Sequence, residues 1–201
     1  MLRRATALGV LILTSILLIA PRAFAGPMTD GERQRLIAHL EMTEAWLVSE
    51  LDGLSEAQLT FRMAPDSWSI KDVAEHLAIA EPQYWANMEA SLKTPVKDGW
   101  KPDATDVGML WYGIDRTNRQ KTGDARVPHG ARSAAESLAS FRKLRQTMLA
   151  MAKTSQADFR GRSYMGASQD LYQWFLMISS HSQRHILQIR EVKAHPNYPK
   201  T

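Results

Sequence analysis

The stretch that decides the fold lies near the C-terminus, where residues 168–194 read SQDLYQWFLMISSHSQRHILQIREVKA. Its apolar residues recur at steps of three or four, which is typical of the buried face of an amphipathic helix. This stripe consists of Leu171, Trp174, Ile178 and Ile189. His181 and His185 continue the stripe, and because they are four positions apart their side chains project from one face. The pattern predicts a long helix that carries two histidines towards the core.

Three further helical patterns precede this one. Each opens with a hydroxyl residue and, three positions later, an acidic side chain that can complete a capping box at the helix start. The pairs are Thr29 with Glu32, Ser69 with Asp72, and Ser133 with Glu136. Pro82 falls inside the second pattern, so we expect a kink or a break there. Four amphipathic helices and no convincing strand predict an all-α fold, a four-helix bundle.

A long connection over residues 94–132 separates the second and third helical patterns. It is rich in glycine and proline, and we expect a short helix around residues 105–119 because apolar side chains there need cover. A connection of this length is uncommon in a compact domain and is often functional. The sequence therefore predicts a lid or a binding loop between the second and third helices.

The first 25 residues have the pattern of a secretory signal peptide. Two arginines precede an apolar run over residues 5–20, and residues 23–25 supply a small-residue cleavage site, so we expect cleavage before Gly26. The alternative is an uncleaved membrane anchor, but the apolar run is short for a span of about 20 residues. We therefore expect a single domain, residues 26–201, that is periplasmic or secreted and free of the membrane.

Charge and cysteine content exclude several classes of protein. The net charge is +4, and removal of the three arginines of residues 1–25 leaves a domain close to neutral. Such a domain lacks the clustered basic face of a nucleic-acid-binding protein. The chain has no cysteine, which excludes a disulfide framework, a cysteine nucleophile and a thiolate-ligated metal. Any chemistry must come from histidines, carboxylates, hydroxyls or a bound cofactor.

A third histidine faces the pair on the last helix. His76 lies on the inner stripe of the second pattern, one turn after Val73 and one turn before Ala80. Burying three imidazoles without partners is costly, whereas a divalent ion would take one nitrogen lone pair from each neutral ring. The alternative is a structural bundle whose histidines are satisfied internally or face solvent. We predict one divalent metal site on His76, His181 and His185, and imidazole ligands suit zinc, nickel, copper and iron alike.

The segments around these histidines resemble the DinB/YfiT-like superfamily. Residues 68–77, WSIKDVAEHL, are similar to that family's entry into its second helix, and residues 181–189, HSQRHILQI, to its closing helix. The lead-in LSEAQL at residues 54–59 is also similar. The resemblance extends over about residues 29–192.

This resemblance implies an up-down-down-up bundle of DinB/YfiT-like type, a zinc or nickel ion on the three histidines, and a homodimer. It also implies a metal-dependent hydrolase or transferase that acts on a small-molecule substrate, and in the transferases the metal activates a low-molecular-weight thiol. Export argues against the thiol chemistry, because such thiols are mainly cytoplasmic. The alternative function is a non-catalytic metal-binding or stress-associated protein of the cell envelope.

The remaining polar and aromatic residues carry weaker predictions. We expect Glu75 on a solvated helix face, and Glu81 and Asp170 are candidate acceptors for imidazole N–H groups. Three histidines are expected at the surface: His39, His129 and His195. Four aromatic residues are expected in the core, with a substrate pocket as the alternative: Tyr84, Trp111, Tyr164 and Trp174.

Overall fold

The computed structural model describes residues 26–97 and 99–200, and this part of the chain is helical with no β-strand. The predicted signal peptide lies outside the described residues. Within them the α-helices are α1 (Asp30–Leu51), α2 (Glu56–Thr60), α3 (Ile70–Ser91), α4 (Asp106–Ile114), α5 (Ala134–Thr154) and α6 (Leu171–Lys193). None of these helices is long and apolar enough to cross a membrane.

Capping boxes set where the long helices begin. All three predicted boxes are present, at Thr29, Ser69 and Ser133. The last helix starts at Leu171 rather than at about residue 168, because the Asp170 carboxylate accepts a hydrogen bond of 2.7 Å from the backbone N–H of Gln173. Capping by a side chain satisfies one of the free N–H groups that every helix leaves at its first turn.

The first helix ends before Leu54, the last residue of its apolar pattern, and a short helix that the sequence did not predict follows it. α1 ends at Leu51, and Gly53 follows with a φ of 66°. Glycine adopts this left-handed conformation without steric cost, so the chain turns there. Ser55 then caps the short helix α2.

The predicted break at Pro82 is wrong, because α3 continues across it. An internal proline removes one helix hydrogen bond and costs about 3 kcal/mol. Pro82 lies on the exposed side of α3, while Leu77, Ala80 and Trp85 on either side of it are buried. Burial of the flanking turns therefore holds the helix together.

Helices α1 and α6 run parallel. Near their starts, the Tyr172 hydroxyl donates a hydrogen bond to the backbone carbonyl of Glu32. Near their ends, the Arg190 guanidinium pairs with the Glu50 carboxylate at 2.6 Å. The first and last long helices are therefore neighbours that point the same way.

The two middle helices run the opposite way. In α3, Tyr84 packs against Trp174 near the start of α6, whereas His76 packs against His185 further along α6. At the start of α1, Arg33 donates to the carbonyl of Ala152 near the end of α5. The order is up-down-down-up, so the predicted four-helix bundle of DinB/YfiT-like type is confirmed.

The core contains two apolar clusters with a buried polar layer between them. Each long helix contributes a buried polar residue that lies between its contacts to the first cluster and its contacts to the second. These residues are Thr43 on α1, Glu81 on α3, Arg145 on α5 and Ser182 on α6, and each is at most 1% exposed. The layer lies at the height of His181, so the polar groups of the core collect beside the histidines.

The connection between α3 and α5 folds back onto the bundle. Its helix α4 packs against α6, where a Cβ at Gly113 would lie 2.8 Å from the backbone oxygen of Ser180. Only glycine permits this approach of the two backbones. The predicted helix ends at Ile114 rather than at residue 119, because the Asp115 carboxylate accepts hydrogen bonds from both the backbone and the hydroxyl of Thr117.

Candidate metal centre

Three imidazoles meet where α3 crosses α6. One ring nitrogen from each of His76, His181 and His185 lies within 4.8 Å of the others, and the Nε2 atoms of His76 and His181 are 3.2 Å apart. His76 and His181 are buried, whereas His185 is half-buried. The predicted convergence of the three rings is confirmed, and their role as metal ligands stays a prediction.

The second ring nitrogen is hydrogen-bonded in His76 and His185, whereas that of His181 has no hydrogen-bond partner and has a carboxylate as its neighbour. His76 Nδ1 is 2.7 Å from the backbone oxygen of Arg126, and His185 Nδ1 is 2.9 Å from Oε1 of Gln188. His181 Nδ1 is buried and lies 3.5 Å from Oε1 of Glu81. A carbonyl oxygen only accepts, so the N–H of His76 is on Nδ1 and its Nε2 carries a lone pair.

The spacing and the donor set fit a divalent ion. Without an ion, a His181 ring protonated on Nε2 donates to the Nε2 lone pair of His76 across 3.2 Å. With its proton on Nδ1, towards Glu81, both Nε2 lone pairs are available to a shared cation. A tetrahedral ion with Zn–N bonds of about 2.05 Å separates its nitrogen ligands by about 3.3 Å. The observed spacing of 3.2 Å therefore suits two imidazole ligands of one cation.

Burial keeps these rings neutral at physiological pH. It lowers the pKa of His76, although the bond to the Arg126 carbonyl partly opposes this. Burial also lowers the pKa of His181 and His185 well below the usual value, and the neighbouring imidazoles and arginines lower it further. Only the neutral ring offers a lone pair to a metal ion.

The carboxylate behind His181 belongs to a buried network. The Ser182 hydroxyl donates to Glu81 at 2.5 Å, and Arg145 donates to Ser182 at 2.7 Å and to Glu81 at 3.4 Å. Burial raises the pKa of Glu81, and the charge of Arg145 opposes this rise. Glu81 therefore lies where the sequence suggested, as a candidate acceptor for an imidazole N–H.

Glu75 does not face solvent as predicted. Its side chain is fully buried and accepts hydrogen bonds from the backbone N–H groups of Gly130 (2.7 Å) and Ala131 (3.0 Å). The ring of His129 lies 3.0 Å from the same carboxylate and is 69% exposed, as expected of a surface histidine. Glu75 thus ties the long connection to α3, next to His76.

Asp170 lies away from the imidazoles, so its candidate role beside them is wrong. It caps α6 and pairs with Arg160 at 2.8 Å. Asp170 comes directly before α6, whereas the histidines lie about three to four turns further along the helix. A residue at that height cannot reach their rings.

The surface prediction for His39 is also wrong. His39 is half-buried between α1 and α6, with Nδ1 2.7 Å from the Ser179 hydroxyl and Nε2 3.1 Å from Oε1 of Gln183. His195 is half-buried as well, with its ring centroid 5.5 Å from that of Phe61. Both histidines lie at the edges of helix contacts that the periodicity of a single helix does not reveal.

A cavity of about 550 Å³ opens beside the three imidazoles. Trp68, Tyr84 and Tyr112 line it, and the Trp68 ring lies 4.8 Å from the ring of His76. Of the four aromatic residues considered from sequence, only Tyr84 lines this cavity. Trp111 is 60% exposed, and Tyr164 and Trp174 stack on each other at 3.7 Å.

Sequence reasoning missed the arginines of this cavity. Arg184 on α6 donates to the backbone carbonyls of Tyr112, Asp115 and Asn118. It therefore holds the segment after α4 against the site. Arg126 contributes its carbonyl to His76, and only contacts between distant segments could have revealed either role.

Comparisons with known proteins agree with the fold. A family model of the DinB superfamily matches residues 33–189. The uncharacterized protein YuaE of Bacillus subtilis (strain 168) is 28% identical over 154 residues, which cover 75% of this chain and 91% of YuaE. The solved structure of YfiT from Bacillus subtilis has a similar fold, with a TM-score of 0.56 at 19% identity. The match covers 90% of this chain and 94% of YfiT, which is described as a probable metal-dependent hydrolase with an unusual four-helix bundle topology. The chain therefore belongs to the DinB superfamily, as the resemblance predicted.

Proposed function

We propose that this protein is a metal-dependent hydrolase whose divalent ion is held by His76, His181 and His185. The observation that carries the proposal is the facing of neutral imidazole nitrogens at 3.2 Å beside an open cavity. The description of YfiT as a probable metal-dependent hydrolase supports the same activity, since the two folds are similar. Zinc and nickel are the ions that the resemblance favours.

The protein's own residues would prepare the site for a small-molecule substrate. The Arg126 carbonyl and the Gln188 side chain orient two of the rings, and Trp68 shields them from bulk water. When bound, the ion would supply Lewis-acid chemistry, polarising a carbonyl or phosphoryl oxygen and promoting ionisation of a nucleophile. The half-buried ring of His185 marks the side from which a substrate would enter.

Metal analysis and activity assays test this proposal. Purified protein should carry one zinc or nickel ion per chain by elemental analysis, and His76→Ala should lose most of it. Hydrolysis of an ester, amide or phosphoester panel should stop on chelation and in His76→Ala. His195→Ala is the matched control, because that ring lies outside the cluster and does not line the cavity, and it should retain both metal and activity. Metal content and activity that survive His76→Ala would refute the proposal.

The same experiment distinguishes the two alternatives from a hydrolase. A thiol transferase would instead turn over thiol conjugates in the presence of a low-molecular-weight thiol. A non-catalytic metal-binding protein would take up the ion tightly and turn over none of these substrates.

We also propose export and dimerisation, which rest on the leader pattern and on the resemblance. Mass spectrometry of the protein from cell fractions should find a mature N-terminus at Gly26 in the exported fraction. Sedimentation of the mature chain should give the mass of a dimer. An intact leader on protein inside the cell, or a monomer, would contradict the corresponding proposal.

A further inference from the structure

The cavity beside the imidazoles has an excess of positive charge. Among its described lining residues the cations are Arg116, Arg119, Lys121, Arg126 and Arg184, and the acids are Asp66 and Glu191. The lining therefore carries three more cations than acids, and a divalent ion would add to this excess. A cleft lined by one sign of charge raises the local concentration of ligands with the opposite sign.

Two of these arginines already have partners. Arg116 forms a two-pronged pair with Glu191 at 2.5 and 2.8 Å. Arg184 donates to backbone carbonyls of the connection, as described above. Their hydrogen-bonding capacity serves the structure of the cavity wall, so they are weaker candidates for binding a ligand.

Arg126 has no such partner. In the described part of the chain no carboxylate pairs with it, and its Nε is buried without a hydrogen-bond acceptor. Its guanidinium lies over the ring of Tyr84, 5.3 Å from the centroid. Leaving a buried donor of a charged group unpaired is costly. A ligand that supplies hydrogen-bond acceptors to this guanidinium would therefore be favoured.

The guanidinium is close to the reaction centre of the proposed function. The Tyr84 ring beneath it packs edge-on against His181, with centroids 5.3 Å apart. The backbone oxygen of Arg126 meets His76 directly. A small molecule in the cavity can therefore reach both the histidine cluster and Arg126, with its apolar body against Trp68 and Tyr84.

We propose that the cavity binds anionic small molecules, and that Arg126 binds their oxyanion through its planar array of N–H donors. This rests on the proposed function, because it assigns a substrate class to the same site. The oxyanion is a carboxylate or a phosphate, and the aromatic walls fit a flat apolar body. Arg126 would thus hold one end of the substrate while the reacting bond lies at the histidines.

Calorimetric titration of the zinc-loaded protein tests this inference, with benzoate, phenyl phosphate and neutral benzamide as ligands. The preferred anion should bind at least about tenfold more tightly than benzamide, as expected for a charge-assisted hydrogen bond. Arg126→Gln should lose that advantage, and Arg126→Lys should keep part of it. Arg142→Gln is the matched control, since this arginine is 54% exposed on α5 and outside the cavity. The relative affinities of the two anions identify the oxyanion.

Two results would overturn the inference: equal binding of anion and benzamide, or an anion preference that survives in Arg126→Gln. The second result would mean that the anion binds to the ion or to another cation of the cavity lining. Chelator-treated protein separates this inference from the proposed function, because an anion preference that depends on Arg126 should persist there whether or not the protein is a metal-dependent hydrolase. The hydrolase proposal fails independently, if the purified protein carries no metal and turns over no substrate. Circular dichroism of Arg126→Gln and Arg126→Lys checks that both variants fold.

Discussion

At the scale of the residue, the three imidazoles differ in what holds them. A backbone carbonyl faces His76, an amide oxygen faces His185, and a carboxylate faces His181. Such partners fix the orientation of a ligating ring and increase its basicity. The carboxylate is the strongest acceptor of the three, so Glu81 should contribute most to metal affinity after the ligands themselves.

Replacing Glu81 tests this ranking. Glu81→Gln should weaken zinc binding by about 10- to 100-fold in competition with a chelator, because an amide oxygen accepts the imidazole N–H less strongly. Glu41→Gln is the matched control, since that residue is 54% exposed on α1 and should leave the affinity unchanged. A folded Glu81→Gln variant with the affinity of the native protein would show that the carboxylate does not act through His181.

Histidine burial also predicts a pH dependence of stability in the metal-free protein. Burial holds the pKa of all three rings below the ordinary value of 6.5. Above pH 6.5 the rings are neutral in both states, whereas below it the unfolded chain binds more protons than the folded chain. The free energy of unfolding should therefore fall as the pH falls below 6.5, by up to about 1.4 kcal/mol per pH unit for each ring.

Urea unfolding of chelator-treated protein between about pH 7.5 and about pH 5.5 measures this slope. A variant with all three histidines changed to asparagine should show a shallower slope over the same range. The half-buried His39, whose pKa burial also lowers, is retained in that variant and accounts for part of the remaining slope. Equal slopes in the two proteins would contradict the prediction.

At the scale of the element, a buried carboxylate positions the last part of the long connection. Glu75 on α3 accepts two backbone N–H groups of the connection, and Arg126 in the same connection meets His76. Burial and the three hydrogen bonds act in opposite directions on the pKa of Glu75, and the net effect lowers it, so the group is ionised at neutral pH. The connection is thus coupled to the site through α3.

Glu75→Gln should loosen this connection. Glutamine places an NH₂ group where the carboxylate accepts hydrogen bonds, and the unpaired donors should cost about 1–3 kcal/mol of unfolding free energy. Hydrogen exchange of residues 126–132 should increase, and zinc affinity should fall because the Arg126 carbonyl is no longer held against His76. The exposed Glu41→Gln variant again serves as the control. Unchanged exchange in this segment would contradict the role assigned to Glu75.

At the scale of the whole molecule, the buried polar layer divides the apolar core in two. Arg145 and Glu81 form its centre, and both are at most 1% exposed. Taking two charges out of water is expensive, so a buried ion pair of this kind adds little net stability. Its position behind His181 indicates that the layer serves the site more than the stability of the bundle.

Changing one or both charges of this pair tests that view. Arg145→Met alone should lower the unfolding free energy by about 3–5 kcal/mol, because it leaves the Glu81 carboxylate buried without its partner. The double variant Glu81→Leu/Arg145→Met should recover most of this loss, since apolar side chains replace both charges. Urea unfolding of Arg145→Met, Glu81→Leu and the double variant completes this double-mutant cycle. A double variant less stable than Arg145→Met would show that the pair itself stabilises the fold.

The sequence by itself determined the four long helices, the capped starts of three of them and the inward direction of the three histidines. These properties follow from local rules: a period of 3.6 residues selects a face, and a capping box needs residues three positions apart. Motif resemblance added the order of the helices and the family. Both kinds of inference use residues close together in the sequence. The structure agrees with them in the capping box at Ser69 and in the convergence of His76 and His181.

Only the tertiary structure decided what surrounds those histidines. Glu75 is buried because a segment more than 50 residues away covers it, and the carbonyl of Arg126 reaches His76 across a similar separation. The continuity of α3 through Pro82 likewise depends on burial of the flanking turns against the rest of the bundle. Periodicity shows which face of a helix turns inward. The groups that meet that face are set by the path of the whole chain, because they come from segments that no local rule connects.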